Sequence, residues 1–277
     1  MRGRELREAL HEGRRVYGTA VEGYGQPTWP RSFAQLGLDY VFLDNEHTPL
    51  NRETMAWAAQ AYVANGIAPL LRIPEPTPAY AAMGLDLGAH GIIAPYVETV
   101  DQVKALVGAI KYRPLKGAAL QAVLNENRFP SAETATFLED INPDAVVVIM
   151  IESPAGIDNL ADMLAVPGVD AALIGPGDMS IALGIPQQFD HPVFDDAAKR
   201  VVQICQEHRV GVGIHFVGGG VERELRWVEW GCNFVLHRTD THFIAMGISD
   251  ELGQLRESLD GVIRGDAGEI KTPGHGT

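Results

Sequence analysis

Basic residues are scarce in this chain, and so are cysteines. Lysine and arginine together number 22 against 36 aspartates and glutamates, a formal net charge of -14. A nucleic-acid footprint needs a basic patch, and the same deficit argues against docking on anionic membranes. A small anionic ligand stays open, because one arginine and one bound cation can reverse the local field. Cys205 and Cys232 are too few for a disulfide framework and fall within predicted elements, so both are expected to be core thiols. No uncharged apolar run approaches the roughly 18 residues that a membrane-spanning helix requires. The opening Met1-Arg2-Gly3-Arg4-Glu5-Leu6 has no apolar core of the signal-peptide kind. No Gly-x-Gly-x-x-Gly opens a helix, which lowers a dinucleotide-binding fold. The expectation is a cytoplasmic globular protein with neither nucleic acid nor membrane as partner.

What is present is a recurring junction. An amphipathic stretch ends, a glycine follows, and a short β-branched run begins: Leu36-Gly37-Leu38, Leu87-Gly88-Ala89, Pro167-Gly168-Val169 and Trp230-Gly231-Cys232. Glycine suits a helix C-terminus because it adopts the left-handed backbone cheaply. The rhythm predicts strands at 16–21, 39–44, 68–73, 91–95, 145–151, 170–175, 211–215 and 233–237. Helices are expected at 51–64, 78–87, 99–111, 132–140, 155–165, 193–208, 219–230 and 241–259. The strands are continuously apolar, as expected when both faces are covered. Eight of them alternating with helices favour an α/β fold, the (β/α)₈ TIM barrel, as a single domain over 1–264. Residues 113–130 read as a long irregular loop over the mouth or at a subunit contact. The Gly- and Pro-rich tail 265–277 is expected to be disordered.

In a closed parallel barrel the C-terminal strand ends share the face where active sites are built. Four apolar runs deliver polar groups there: Asp44, Glu46 and His47 after Leu43; Arg72 after Leu71; Glu152 after Ile151; Asp178 just past Pro176. Glu152 and Asp178, at adjacent strand ends, suit a hard divalent cation; equally, with Pro154 and Gly177 beside them, both read as helix caps. His47 among carboxylates suits acid–base work, or is a solvated loop histidine. Arg72 needs an anionic partner, because burying it unpaired is costly; a salt bridge in the barrel mouth would serve as well as a ligand. Asp86, ending a helix, can reach the same network or sit on the surface. His215 and His237 end the seventh and eighth strands and stand as pocket candidates. Gly218-Gly219-Gly220 can present amides to an anion or form a flexible loop. The five lysines, Lys104, Lys111, Lys116, Lys199 and Lys271, avoid every predicted strand, which disfavours Schiff-base chemistry inside the barrel.

Together these residues resemble the metal-dependent class II pyruvate aldolases of the HpcH/HpaI type, of which 4-hydroxy-2-oxoheptanedioate aldolase is typical. The resemblance spans roughly residues 5–260 and rests on Leu43-Asp44-Asn45-Glu46-His47-Thr48-Pro49, Leu71-Arg72, Leu87 to Pro95, Ile151-Glu152-Ser153 and Ile174-Gly175-Pro176-Gly177-Asp178-Met179-Ser180. It implies a barrel that swaps its last helix between partners and assembles as a homohexamer, a trimer of dimers. It implies Glu152 and Asp178 as ligands of Mg²⁺ or Mn²⁺, with Co²⁺ a further option. Arg72 matches the enolate-stabilising arginine, His47 the family histidine, and Asp44 and Asp86 the acids that orient it. The amides of Gly177 and Asp178 match those that bind the pyruvyl carboxylate. The implied activity is cleavage or formation of 4-hydroxy-2-oxo acids, with pyruvate and an aldehyde as partners.

The chain departs from the pattern at Asn45 and Gly177, where the family usually has Gly and Ala, and at Met150, where it has Gln. Leu115-Lys116-Gly117-Ala118 stands where it has Gly-x-Arg-Gly, and the segment Gly18 to Trp29, His215 and His237 are also unlike it. These changes bear on the aldehyde more than on the enolate chemistry. The rival readings are a carbon–carbon lyase or synthase of the citrate lyase β type, for which no basic cluster suited to a CoA phosphate stands out, and a silent barrel used for binding. The apolar last helix, with Phe243, Ile244, Met246, Ile248, Leu252 and Leu255, suits a swap and an ordinary eighth helix equally.

Overall fold

The protein is described here by a computed structural model covering residues 1–23, 28–215 and 220–260. Eight strands are present: β1 (Val16–Val21), β2 (Tyr40–Asp44), β3 (Ala68–Arg72), β4 (Gly91–Ala94), β5 (Val146–Ile151), β6 (Ala171–Ile174), β7 (Gly211–Ile214) and β8 (Phe234–Thr239). The helices are α1 (Gly3–His11), α2 (Trp29–Phe33), α3 (Arg52–Ala64), α4 (Pro78–Asp86), α5 (Val100–Lys111), α6 (Gly117–Glu126) and α7 (Ala132–Ile141). They continue with α8 (Pro154–Asp158), α9 (Leu160–Leu164), α10 (Pro176–Ala182), α11 (Pro192–Glu207), α12 (Val221–Trp230) and α13 (Asp240–Asp260).

All paired strands are parallel, in the order β7-β6-β5-β4-β3-β2-β1-β8, and the sheet curls into the expected (β/α)₈ barrel. The remaining seam, between β7 and β8, is joined through Asn233. Its N–H donates to the Val212 carbonyl (3.0 Å), its Oδ1 accepts the Val212 N–H (2.9 Å), and its carbonyl accepts the Val16 N–H of β1 (2.9 Å). The four junction glycines behave as the sequence suggested: Gly37, Gly88, Gly168 and Gly231 have φ of 74°, 101°, 119° and 117°.

Strand residues alternate between two cores. Ala20, Phe42, Leu70, Ile93, Val148, Leu173, Phe234 and Leu236 fill the barrel interior. Val41, Leu43, Leu71, Ile92, Val147 and Ile149 pack outward among the helices. Both sets are buried, so the strands read as unbroken apolar runs. Cys205 and Cys232 are buried free thiols in this packing, and burial pushes Cys232 up to about 12.

Several features differ from the sequence reading, among them the short helices α2 and α10, which it did not place. First, α1 had no counterpart. Leu6, Ala9 and Leu10 share one helical face and join the interior core, so α1 stoppers the N-terminal end of the barrel. Second, 113–130 is not irregular throughout: α6 runs through it, buries only Val123 and ends on a left-handed Asn127 (φ 49°), a stripe too thin to announce a helix. Third, 155–165 is two short helices that meet at Asn159, whose Nδ2 donates to the Glu98 carbonyl (2.9 Å). Gly218, Gly219, part of the segment Gly18 to Trp29 and the tail from Gly265 lie outside the described residues. Of α13 only Asp240 and His242 are buried, while Ile244, Ile248, Leu252, Leu255 and Leu259 are exposed. Among the described residues no helix is long and apolar enough to cross a membrane.

Candidate active site

The C-terminal ends of β2 and β3 bring the first two charges together, because their register places Asp44 directly beside Arg72. The Arg72 guanidinium grips Asp44 with both edges of its fork: Nε donates to Oδ1 and Nη2 to Oδ2, each at 2.8 Å. Nη1 lies 3.0 Å from Glu46 Oε2. Arg72 is 3% exposed. Burial works against its charge, but the Asp44 hydrogen bonds and the fields of Asp44, Glu46 and Glu152 outweigh it and hold its pKa above the usual value. Burial also opposes the Asp44 carboxylate, and Arg72 with the Glu46 N–H more than compensates, so its pKa lies below the ordinary one.

The turn after β2 carries His47 to the exposed rim, with Nε2 3.7 Å from Glu46 Oε2. Below it, Phe42 forms an aromatic floor. Arg72 lies 5.2 Å over its ring, and His215 stacks against it at 4.7 Å between centroids. His215, expected as a pocket residue, is thus buried beside the arginine, and its field helps hold Asp44 ionised.

Glu152 and Asp178 come from the ends of β5 and β6. Glu152 is 5% exposed, and its Oε2 accepts the backbone N–H of Tyr96 at 2.8 Å. Burial first, and then repulsion from Asp178 and Glu46, outweigh that hydrogen bond and the attraction of Arg72, lifting its pKa to about 7. Gly175 makes room for this carboxylate: a Cβ there would stand 2.2 Å from Glu152 Oε1. Asp178 lies partly exposed in the first turn of α10, beside the Tyr96 phenol, on which its field acts. The amides of Gly177 and Asp178 belong to that turn, ahead of its first internal bond, from the Met179 N–H to the Gly175 carbonyl. These acids therefore do not serve merely as side-chain caps: Ser153 caps α8, and no side-chain cap bond closes α10.

Two expected residues are placed elsewhere in the chain. Asp86, at the C-terminus of α4, is exposed and ion-paired with Arg113 at 2.6 Å. The helix runs from the strand C-termini back to the opposite end, which carries its last residue away from His47. His237 alternates with the interior residues Phe234 and Leu236, so it faces α12, where Nδ1 meets Glu224 at 2.7 Å and the ring lies against Phe243. Two further residues belong to the site: Glu46, which the sequence placed beside His47 without a role of its own, and Tyr96, which it did not single out. Glu46 contacts both Arg72 and His47, and Tyr96 contacts both Glu152 and Asp178. The sequence signal for Tyr96 was position alone, two residues past the end of β4 on the reactive face.

The donor set fits a hard divalent cation. Three carboxylates, Glu46, Glu152 and Asp178, stand close enough that the fields of Asp178 and Glu46 add to burial in raising Glu152, and oxygen-only ligands suit Mg²⁺ or Mn²⁺. Among the described residues no group of three or more His, Cys, Asp or Glu could hold a metal. The candidate is therefore a two-ligand site, Glu152 and Asp178, and a zinc site built with the two histidines is not supported.

The sequence model for HpcH/HpaI aldolase/citrate lyase matches residues 25–245. The chain is 29% identical over 204 residues to a 2-dehydro-3,6-dideoxy-6-sulfogluconate aldolase of Pseudomonas putida, covering 74% of this chain and 78% of that protein. It is 27% identical over 231 residues to a 2-keto-3-deoxy-L-rhamnonate aldolase of Escherichia coli, covering 82% and 84%. The crystal structure of an HpcH/HpaI aldolase from Desulfitobacterium hafniense superimposes with a TM-score of 0.77 at 26% identity, over 91% of this chain and 96% of that one.

Proposed function

The chain belongs to the HpcH/HpaI aldolase/citrate lyase family, and from that premise we propose that it is a class II pyruvate aldolase acting on 4-hydroxy-2-oxo acids. The observation that carries the reading is the meeting, at one barrel mouth, of a buried arginine with a pair of acids suited to a divalent cation. The relatives named above, aldolases of 2-keto-3-deoxy sugar acids, support the substrate class; the aldehyde here would be a small polar one.

In this mechanism Glu152 and Asp178 hold Mg²⁺ or Mn²⁺. When bound, the cation supplies Lewis acidity toward the keto and carboxylate oxygens of the 2-oxo acid. The amides of Gly177 and Asp178 orient that carboxylate. Arg72 has five N–H donors, and the contacts with Asp44 and Glu46 engage three of them. The remaining two can reach the C2 oxygen, where negative charge collects as the C3–C4 bond breaks, freeing the aldehyde and leaving the pyruvate enolate, which takes a proton at C3 from water to become pyruvate. Because Asp44 and Glu46 fix the guanidinium before substrate arrives, no reorganisation is needed when that charge forms. His47, at the rim beside Glu46, takes the C4 hydroxyl proton. Phe42 and His215 close the floor and exclude water from the developing charge.

The same reading assembles the chain as a cytoplasmic homohexamer that exchanges α13, supported by the exposed stripe of Ile244, Ile248, Leu252, Leu255 and Leu259. Asp86, remote from His47 within one protomer, would then act on its own chain only through packing. The activity test is release of pyruvate from a racemic 4-hydroxy-2-oxo acid, coupled to lactate dehydrogenase, with Mn²⁺ or Mg²⁺ and then with EDTA. Metal-dependent release is expected. Metal binding without release would favour the citrate-lyase branch, and absence of both would leave a silent barrel.

A further inference from the structure

Tyr96 holds two residues that belong to different strands. Its backbone N–H donates to Glu152 Oε2 at 2.8 Å, and its phenol stands beside the Asp178 carboxylate, whose field acts on it. Its backbone is unusual: φ is 50°, in the left-handed region. Bulky residues seldom adopt that region, and strain of this kind persists where surrounding contacts over-determine it. The contacts responsible are not hydrophobic packing, because the side chain is 44% exposed at the barrel mouth. The residue is fastened at its amide, with its hydroxyl beside Asp178.

From this juxtaposition we infer that Tyr96 is a positioning residue that sets the spacing and aim of the Glu152 and Asp178 carboxylates toward their divalent cation. The inference rests on the proposed metal role of those acids. The Tyr96 amide occupies Glu152 Oε2, and its phenol stands beside the Asp178 carboxylate. Groups that hydrogen-bond to ligating carboxylates orient them, and losing such a group typically weakens metal binding by about 10–100-fold. Tyr96 does not touch the reacting atoms in this scheme; it acts through the two acids.

The test is calorimetric titration of Mn²⁺ into EDTA-stripped wild type and Tyr96→Phe, without substrate, alongside thermal melting of the metal-free proteins. The phenylalanine keeps the ring and the backbone amide and removes only the hydroxyl beside Asp178. Expected is a Mn²⁺ affinity lower by about tenfold or more, an altered Mn²⁺ electron paramagnetic resonance spectrum, and an unchanged melting temperature without metal. Equal affinity in Tyr96→Phe would overturn the inference and leave the aldolase reading standing. Weaker binding accompanied by a lowered metal-free melting temperature would assign Tyr96 a structural role and overturn it as well. Failure of the wild type to bind Mn²⁺ would overturn both readings together.

Discussion

Gly175→Ala isolates the position of a single carboxylate. Gly175 has φ -91° and ψ 98°, an extended backbone that alanine adopts without penalty, so nothing in the main chain opposes the change. The side chain does. The new Cβ would stand 2.2 Å from Glu152 Oε1 and 2.8 Å from both its Cδ and its Cγ. Reaching van der Waals separation means moving the carboxylate by about 1 Å. Glu152 is buried and its second oxygen is tied to the Tyr96 N–H, so no open space takes up that shift. Overpacking of this size costs roughly 1–3 kcal/mol of stability, which leaves a folded protein. A misplacement of about 1 Å in a catalytic constellation costs on the order of 10²-fold in rate. Steady-state pyruvate release and Mn²⁺ affinity should both fall together. Gly177→Ala, two residues on, meets nothing within 4 Å and serves as the comparison, with a far smaller effect. If Gly175→Ala kept wild-type activity and wild-type Mn²⁺ affinity, the assignment of Glu152 as a ligand would be refuted.

The raised Glu152 predicts a pH dependence in the metal-free protein. Its folded pKa of about 7 exceeds the ordinary 4.5, so its contribution is fully present below the ordinary value and is lost as pH rises through 7. The loss is on the order of 3 kcal/mol. It should be read as the difference in urea unfolding between wild type and Glu152→Gln, and added Mn²⁺ should offset it above pH 7. Arg72→Lys keeps a positive charge but cannot span both oxygens of Asp44; kcat should fall about 10²–10³-fold in steady-state assays while the protein remains folded. At the opposite end of the barrel, buried Asp170 accepts from Lys111 (2.5 Å), His11 (3.0 Å) and the Val147 N–H (2.8 Å). Asp170→Asn strands the buried Lys111 charge and should cost about 3–5 kcal/mol in urea unfolding, with kcat of the surviving folded protein unchanged.

Strand placement was readable because the apolar runs and their junction glycines encode it locally, and the observed strands start or stop within about two residues of the expected ones. Asp44, Arg72, Glu152, Asp178 and His215 were readable for the same reason: a strand end fixes which end of the barrel a residue occupies. A strand end does not fix which way a side chain points. That is why His237, odd in the alternation with Phe234 and Leu236, turned toward Glu224. Nor does it show what a helix terminus faces, and Asp86 closes α4 at the far end beside Arg113. Tyr96 was invisible because its role depends on a left-handed φ and on two partners far away in sequence. The stopper α1 escaped because three apolar residues among charges give a weak pattern until a barrel end exists to receive them.

The seam at Asn233 bears on time as well as on shape. β8 is paired in register with β1, Val16 against Phe234 and Gly18 against Leu236, while its link to β7 passes through Asn233. As the chain is synthesised, β1 therefore waits with an open edge until more than two hundred further residues have been made. Until β8 arrives, the nascent chain is a curled open sheet whose terminal strand can pair with the wrong partner. The asparagine that closes the seam also holds α1, donating from Nδ2 to the carbonyls of Leu10 (3.1 Å) and Arg14 (3.3 Å). The first helix thus gains its last anchor only when the last strand docks, which makes completion of the barrel a late, concerted event.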